Sequence, residues 1–260
     1  MDVVSSVAAA PVLSMPEPLQ TIVFWVSMFG AVAILAYSAL VARRFGTMVP
    51  VLLVIGAFCS VPLESLVGYL GHVTHPQVGS IAMYTAVDRT IPWHMAFGYT
   101  IAFGIVYLII YQRAAAGTLN RPLIFKIAIL TALSYFVVET VGVSTKLWVY
   151  FEPQAIWIWR MTEPPIWGIL NATSEVLGAS LVIFMLPHLK GIRQVLIIAL
   201  CPIATVMGHF GAGFPWYNVI NSSASQQMMD LSALLSAGLS VLVWWVAAVL
   251  ATTPQTEQVR

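Results

Sequence analysis

Four acidic residues lie in or beside long apolar stretches of this sequence, where a charge is costly. Glu64, Glu139 and Glu175 fall inside such stretches, and Asp230 opens the last one. An ionisable group at membrane depth is expensive unless it faces a cavity or a partner, so each of these residues marks a candidate functional site. A carboxyl group in an apolar site can stay protonated near neutral pH and donate that proton. We therefore predict that these four residues are the catalytic acids and bases.

Polar and aromatic residues accompany the carboxyl groups at helical spacing. Trp167, Asn171 and Glu175 follow one another at intervals of four, which places them on one face of a helix. Aromatic ring faces can stabilise a carbocation, and imidazole or amide groups can orient a carboxyl group or hold water. The predicted substrate-binding residues are His94, Trp93, Trp167, Asn171, His209, Tyr84, Trp148 and Trp216, and Tyr150, Trp157, Trp159 and Tyr217 belong to the same aromatic loops.

Several of these residues also have plainer interpretations. Tryptophan and tyrosine at helix ends commonly form the interfacial belt of a membrane protein. His94 and His209 could be hydrogen-bonded core residues, and Asp230 could cap the N-terminus of a helix. Three buried glutamates with few basic residues nearby are harder to explain as structural groups. At least two of the glutamates are therefore expected in a functional cavity.

Other chemistries fit the sequence poorly. Five histidines are too few for a histidine-rich di-iron site, and no GxSxG, Walker or GxGxxG motif is present. A retinal-binding seven-helix protein needs a lysine in its last helix, and this one has none. His72 and His75 together with Glu64 form an alternative metal-ligand set, but both histidines fall in a predicted loop. We predict no metal and no cofactor.

The composition sets the class of protein. Of 260 residues, 60% are hydrophobic and 8% are charged, with a mean hydropathy of +0.90 and a net charge of +1. A soluble domain carries about 25% charged residues. This balance excludes a soluble enzyme, a nucleic-acid-binding module and a disordered chain. We predict an all-α, multi-pass integral membrane protein, in the cytoplasmic membrane if the source is bacterial.

Seven apolar stretches are long enough to cross a bilayer, which takes roughly 20 residues. Residues 1–20 are predicted to be a lead-in, residues 21–251 a single transmembrane domain, and residues 252–260 a short cytoplasmic tail. The predicted spans cover about 21–42, 50–71, 92–112, 123–144, 165–187, 193–213 and 229–251.

Basic residues predict the orientation of these spans. Eight of the 11 lysines and arginines fall on one side, and only Arg89, Lys146 and Arg160 fall on the other. Because Lys and Arg accumulate in cytoplasmic loops, the N-terminus is predicted outside and the C-terminus inside.

After the first span the chain shows a two-helix repeat. The first unit has Glu64, an outer loop and Pro92-Trp93-His94, and the second has Glu139, an outer loop and Pro165-Ile166-Trp167. A weaker third unit has His209, a loop holding Pro215-Trp216-Tyr217, and Asp230. Repeats of this kind form a shared interior, so the acids are expected around one chamber in the outer half of the membrane.

Two short segments resemble membrane enzymes of isoprenoid metabolism. Residues 139–145, Glu-Thr-Val-Gly-Val-Ser-Thr, with Trp148-Val-Tyr150 after them, are similar to a pattern of membrane-integral carotenoid hydratases. Residues 61–64, Val-Pro-Leu-Glu, are similar to the Pro-x-Glu element of small membrane lycopene cyclases. Seven helices with an acid on helix 2 and another on helix 7 also resemble the membrane terpene cyclases of fungal meroterpenoid pathways. That resemblance implies Glu64 and Asp230 as the acid pair.

The sequence hypothesis is a membrane-embedded terpene or carotenoid cyclase or hydratase. Its carboxyl groups would protonate an alkene or epoxide, and its aromatic residues would stabilise the cation. The expected partners are a lipidic small molecule and the lipid bilayer, with no nucleic acid. The oligomeric state stays open. One alternative is a proton-coupled transporter or a ligand-binding receptor, and interrupted helices would favour transport. The other is a structural subunit with no cavity.

Overall fold

The apolar stretches form the helices of the structure, a computed structural model that describes residues 9–156 and 166–253. Six helices are long and apolar enough to cross a membrane, and a bent pair, α2 and α3, makes a seventh span. The predicted all-α, seven-span bundle is thereby confirmed. The helices are α1 (Leu19–Phe45), α2 (Val49–Cys59), α3 (Leu63–Leu70), α4 (Trp93–Ala115), α5 (Arg121–Ser144), α6 (Ile166–Met185), α7 (Ile197–Ile220) and α8 (Gln226–Thr252).

The second span is broken, although the sequence predicts one helix over residues 50–71. Its halves α2 and α3 meet at an angle of 41°. Pro62 lies at the break, and proline both lacks an N–H and clashes with the carbonyl four residues earlier. Tighter turns replace the regular bonds here, since Leu63 N donates to Ser60 O and Glu64 N donates to Val61 O. The break sets Glu64 on the first turn of α3.

The sixth span is longer than predicted. The sequence predicts a loop at Pro215-Trp216-Tyr217, but α7 continues to Ile220 and contains all three residues. That prediction is wrong because Trp216 and Tyr217 are buried there. Packing of both rings against α6 offsets the backbone bond that Pro215 cannot make.

Short strands close one end of the bundle. The strands are β1 (Val73–Thr74), β2 (Ala82–Ala86), β3 (Arg89–Pro92) and β4 (Val149–Tyr150). β2 and β3 form an antiparallel hairpin, and β1 pairs antiparallel with β4, with Val73 opposite Tyr150. We call residues 71–92 and 145–156 the strand cap. The basic loops after α1 and α4 lie at the opposite end, so the predicted orientation places the strand cap outside.

Helix α6 is the centre of the bundle and packs on α4, α5, α7 and α8. Small residues allow the close approach: a Cβ on Gly178 would lie 2.5 Å from the Tyr107 hydroxyl, and one on Gly208 would lie 2.9 Å from the Cα of Ser174. Helices α4 and α5 contact each other far less than α4 contacts α1, α2 and α6 or α5 contacts α6 and α8. Their separation leaves a groove along the bundle, beside α6.

Candidate functional site

A cavity of about 680 Å³ lies beneath the strand cap, between α4, α5 and α6. Ligand sites typically enclose roughly 300–1,000 Å³. Most of the wall is aliphatic or aromatic, and it continues down the groove to Ile109 on α4 and Ile127 on α5. The cavity brings together seven of the predicted site residues: Glu64, Glu139, Glu175, His94, Trp148, Trp167 and Asn171.

Glu64 and His75 form a buried acid–base pair on the cavity wall. Glu64 Oε1 lies 2.9 Å from His75 Nε2, and Tyr99 Oη donates to Glu64 Oε2 at 2.7 Å. His75 Nδ1 lies 3.3 Å from the carbonyl oxygen of Leu147, which can only accept, so Nδ1 carries a hydrogen. The contact between Glu64 Oε1 and His75 Nε2 therefore needs one hydrogen between the two atoms.

Glu139 is held by two neutral donors. The Trp148 indole N–H donates to Glu139 Oε2 at 2.7 Å, and the Tyr150 hydroxyl donates to the same oxygen at 2.8 Å. Gly142 makes this geometry possible, because a Cβ at that position would lie 2.0 Å from the Trp148 ring. The carboxyl group is thus fixed by the residues that follow it in the chain.

The first two repeat units share this arrangement. In the first unit His75 is the eleventh residue after Glu64, and in the second Tyr150 is the eleventh residue after Glu139. The two partners come from the region of β1 and from β4, which pair with each other. The predicted repeat therefore has a structural counterpart in its first two units. The third unit has only a short turn between α7 and α8.

Glu175 lies deeper in the bundle than the other two glutamates. It follows Trp167 by eight residues on α6, or ~12 Å at 1.5 Å per residue. The Tyr135 hydroxyl donates to Glu175 Oε1. Glu175 is fully buried, and its Oε2 has no hydrogen-bond partner among residues 9–156 and 166–253. This oxygen is available to a group inside the cavity.

Trp167 forms part of the wall and is supported from behind by other aromatic residues. Its ring centroid lies 5.1 Å from that of Trp216 in a T-shaped contact and 5.9 Å from that of His209. His209 Nε2 lies 2.7 Å from the Tyr217 hydroxyl. His209 and Trp216 are buried and do not line the cavity. They hold Trp167 in place.

Three predicted site residues lie away from the cavity. Trp93 stacks on Phe97, and the Tyr84 hydroxyl donates to the backbone carbonyl of Val61. Asp230 Oδ1 accepts from Ile156 N at 2.8 Å and from the Gln226 side chain at 2.9 Å, so it ties the strand cap to α8. Ser225, rather than Asp230, caps α8. Trp157, Trp159 and Arg160 lie outside the described residues.

Three site residues were not predicted in the roles that they have. The sequence hypothesis treats His75 only as a possible metal ligand, and it gives no role to the hydroxyls of Tyr99 and Tyr135. The sequence signal for Tyr99 and Tyr135 was a hydroxyl group inside an otherwise apolar span. Among the residues that the structure describes, no group of three or more His, Cys, Asp or Glu side chains could hold a metal ion.

Comparisons with protein families, with curated proteins and with solved structures gave no match to this chain. The site therefore has to be interpreted from its own geometry.

Proposed function

We propose that this protein is a membrane-embedded enzyme that cyclises or hydrates an isoprenoid by acid–base catalysis. The observation that carries the proposal is the cavity itself, which is long and largely apolar yet has Glu64, Glu139 and Glu175 on its wall. In a purely structural subunit, a void of about 680 Å³ lined by three carboxyl groups would be costly and would serve no function. The enzyme's substrate would be a lipid-soluble polyene.

Glu175 is the proposed proton donor, since its Oε2 faces no other partner within the described chain. Its proton would form a new C–H bond on an alkene carbon, or an O–H bond on an epoxide oxygen. The resulting cation would lie against the aromatic wall of Trp148, Tyr150 and Trp167. Ring closure or attack by water would consume it.

The Glu64–His75 pair is the proposed proton acceptor. With the hydrogen between them on His75 Nε2, the Glu64 carboxylate would take the proton lost from the product and become a carboxylic acid beside the imidazolium. The pair would then release one proton to water at the outer face, and water would return a proton to Glu175. Glu139, fixed by two donors, would position the chain of the substrate and oppose the cation's charge.

The test is product formation in cells that make polyprenyl and carotenoid precursors. Lipid extracts would be compared for the parent protein and for Glu64→Gln, Glu139→Gln and Glu175→Gln. General acid–base residues contribute about 10²–10⁴-fold to rate, so the Glu64 and Glu175 variants should lose at least ~100-fold of product.

Asp88→Asn is the matched control, because Asp88 lies in an exposed turn with a positive φ of 55° that asparagine adopts readily. It should keep full product. Asp230→Asn distinguishes catalysis by the three cavity glutamates from catalysis by Glu64 and Asp230, the acid pair that the resemblance implies. Full product from all three glutamine variants, with equal amounts of folded protein in the membrane, would end this proposal.

A second candidate function is a proton-coupled carrier. The break between α2 and α3 beside Glu64 favours it, because transporters place broken helices at their binding sites. Proteoliposomes loaded with a fluorescent pH indicator would test this function. Substrate uptake that collapses with the proton gradient would favour the carrier over the enzyme.

A further inference from the structure

The cavity is open along the side of the bundle. Its wall includes Ile105 and Ile109 on α4 and Val137 and Val138 on α5. These four side chains are 39%, 39%, 61% and 53% exposed, so they face both the cavity and the surface of the bundle. The lateral groove, as we call this opening between α4 and α5, runs from His94 to Ile109, or ~22 Å along α4. That length is most of a hydrocarbon core of about 30 Å.

Polar atoms without partners line the same space, two of them at its capped end and the third, on Glu175, deeper in the bundle. His94 Nε2, Trp167 Nε1 and Glu175 Oε2 are buried, and none has a hydrogen-bond partner in the described part of the chain. All three residues line the cavity, and each is at least nine-tenths buried. Buried polar groups in native proteins are nearly always hydrogen-bonded. A ligand in the cavity can satisfy these atoms.

The chemistry of these atoms defines the ligand's polar group. An indole N–H can only donate, so Trp167 requires an acceptor such as a hydroxyl, ether or carbonyl oxygen. His94 Nε2 can donate or accept, according to its tautomer. A pure hydrocarbon would leave the Trp167 N–H unpaired.

We propose that the cavity binds an oxygen-bearing isoprenoid lipid that enters from the bilayer through the lateral groove. The oxygen lies at the capped end against Trp167 and His94, and the apolar chain lies between α4 and α5. This binding mode deepens the proposed function and rests on it for the choice of an isoprenoid chain. It excludes a plain carotene as the preferred ligand.

The polar contact is tested by binding to purified protein in phosphatidylcholine nanodiscs. The probes are tritiated geranylgeraniol and the hydrocarbon with the same chain but no hydroxyl. Trp167→Phe keeps an aromatic ring and removes the N–H. We expect it to weaken binding of the alcohol by about fivefold, the worth of one hydrogen bond, and to leave hydrocarbon binding unchanged.

Trp244→Phe is the control for this substitution. Trp244 is buried and donates to Thr173, and it does not line the cavity. It should leave both affinities unchanged. Equal effects of Trp167→Phe on both probes, or no effect on either, would overturn the polar contact.

The route is tested with two lipid-facing tryptophan substitutions on α5. Val138→Trp fills the lateral groove, whereas Leu133→Trp lies on α5 outside the cavity wall, at a side chain that is 59% exposed. We expect Val138→Trp to slow geranylgeraniol binding at least tenfold and Leu133→Trp to leave the rate unchanged. Equal rates for the two variants would refute the lateral route.

Two further outcomes separate the hypotheses. If Val138→Trp changes the oligomeric state and not the binding rate, the groove is an interface between copies of the chain and the proposal fails. If alcohol binding follows the expected pattern but no product forms in cells, the binding mode stands and the proposed catalysis falls.

Discussion

The two glutamates that correspond in the repeat have chemically different partners. Glu64 faces the imidazole of His75, whereas Glu139 accepts hydrogen bonds from the indole of Trp148 and the phenol of Tyr150, neither of which takes up a proton near neutral pH. The same backbone arrangement thus sets one glutamate against an imidazole and the other against an indole N–H and a phenol O–H.

Gly142 gives a prediction about how Glu139 is held. Gly142→Ala would place a Cβ 2.0 Å from the Trp148 ring, so the indole must move and its bond to Glu139 is lost. We expect a loss of about 1–3 kcal/mol in unfolding free energy, typical of overpacking. Denaturant unfolding in detergent micelles measures the loss, and the tryptophan emission spectrum reports the movement of the ring.

Gly238→Ala is the control for the overpacking. Gly238 lies in α8 with nothing within 4 Å of a Cβ, so alanine should stabilise the helix by about 0.5–1 kcal/mol. If the two alanine variants unfold at the same denaturant concentration, the close contact of Trp148 with Gly142 has no energetic role.

His72, in the strand cap outside the membrane spans, gives a pH-dependent prediction. Burial lowers the pKa of His72 below the ordinary value for histidine. The hydrogen bond to Asn221 and the charge of Glu152 oppose the shift, and the charge of Arg89 reinforces it. Its Nε2–H donates to Asn221 Oδ1 at 3.1 Å, and its buried Nδ1 has no partner within the described residues. The folded protein therefore binds a proton here more weakly than the unfolded chain. The stability that neutral His72 contributes is full above about pH 6.5 and is lost as the pH falls below it.

His72→Asn removes the titration and suits the backbone, because His72 has a φ of 55° and asparagine tolerates this region. Melting temperatures should be measured from pH 7.5 to pH 5. We expect the melting temperature of the parent protein to fall further than that of the variant over this range. Parallel melting curves would show that His72 does not titrate on unfolding.

At the scale of elements, the break in the second span positions Glu64. Pro62→Ala restores a backbone donor and removes the clash that bends the helix. We expect α2 and α3 to straighten and Glu64 to leave His75, with product formation falling at least ~10-fold and no fall in melting temperature. Pro50→Ala is the matched control, since Pro50 occupies the first turn of α2, where proline causes no bend.

Product formation and melting temperature together distinguish an effect on the position of Glu64 from an effect on the stability of the fold. A loss of activity together with a large fall in melting temperature would mean that Pro62 stabilises the fold and has no separate role in positioning Glu64.

The elements show why the sequence predicted some features and missed others. Spans follow from local runs of apolar residues, so all seven were found, and a carboxyl group such as Glu175 is conspicuous inside one. Partners such as Tyr99 for Glu64 depend on how helices rotate against each other, which local periodicity does not determine. The strand cap was missed because two-residue strands such as β1 carry no alternating pattern.

The aromatic residues show the same limit. Trp148 and Trp167 line the cavity and Trp93 does not, although all three lie near span ends and look alike in the sequence. Packing against Trp216 and His209 places Trp167 in the cavity wall. Both of these residues belong to α7, whose end was predicted too early.

At the scale of the whole molecule, the orientation in the membrane is the main expectation still to be measured. Thr85 in the strand cap and Thr118 in the loop after α4 are both exposed and lie at opposite ends of the bundle. In a Cys59→Ala background, Thr85→Cys should react with a membrane-impermeant thiol reagent in intact cells. Thr118→Cys should react only after permeabilisation.

The second native thiol does not disturb this assay, because Cys201 is fully buried against the position of Gly56. Labelling of Thr118→Cys in intact cells, with Thr85→Cys protected, would reverse the proposed orientation and put the cavity's capped end inside.

The pairing of β1 with β4 has a consequence for biosynthesis. β1 leaves the ribosome directly after α3, but its partner β4 is made only after α4 and α5. The nascent chain must therefore carry an unsatisfied strand edge until two more helices have been inserted. Translation arrested before residue 145 should leave the segment around His75 open to protease, and arrest well past residue 156 should protect it. The strand cap would then form late in biosynthesis, after α5 has been inserted into the membrane.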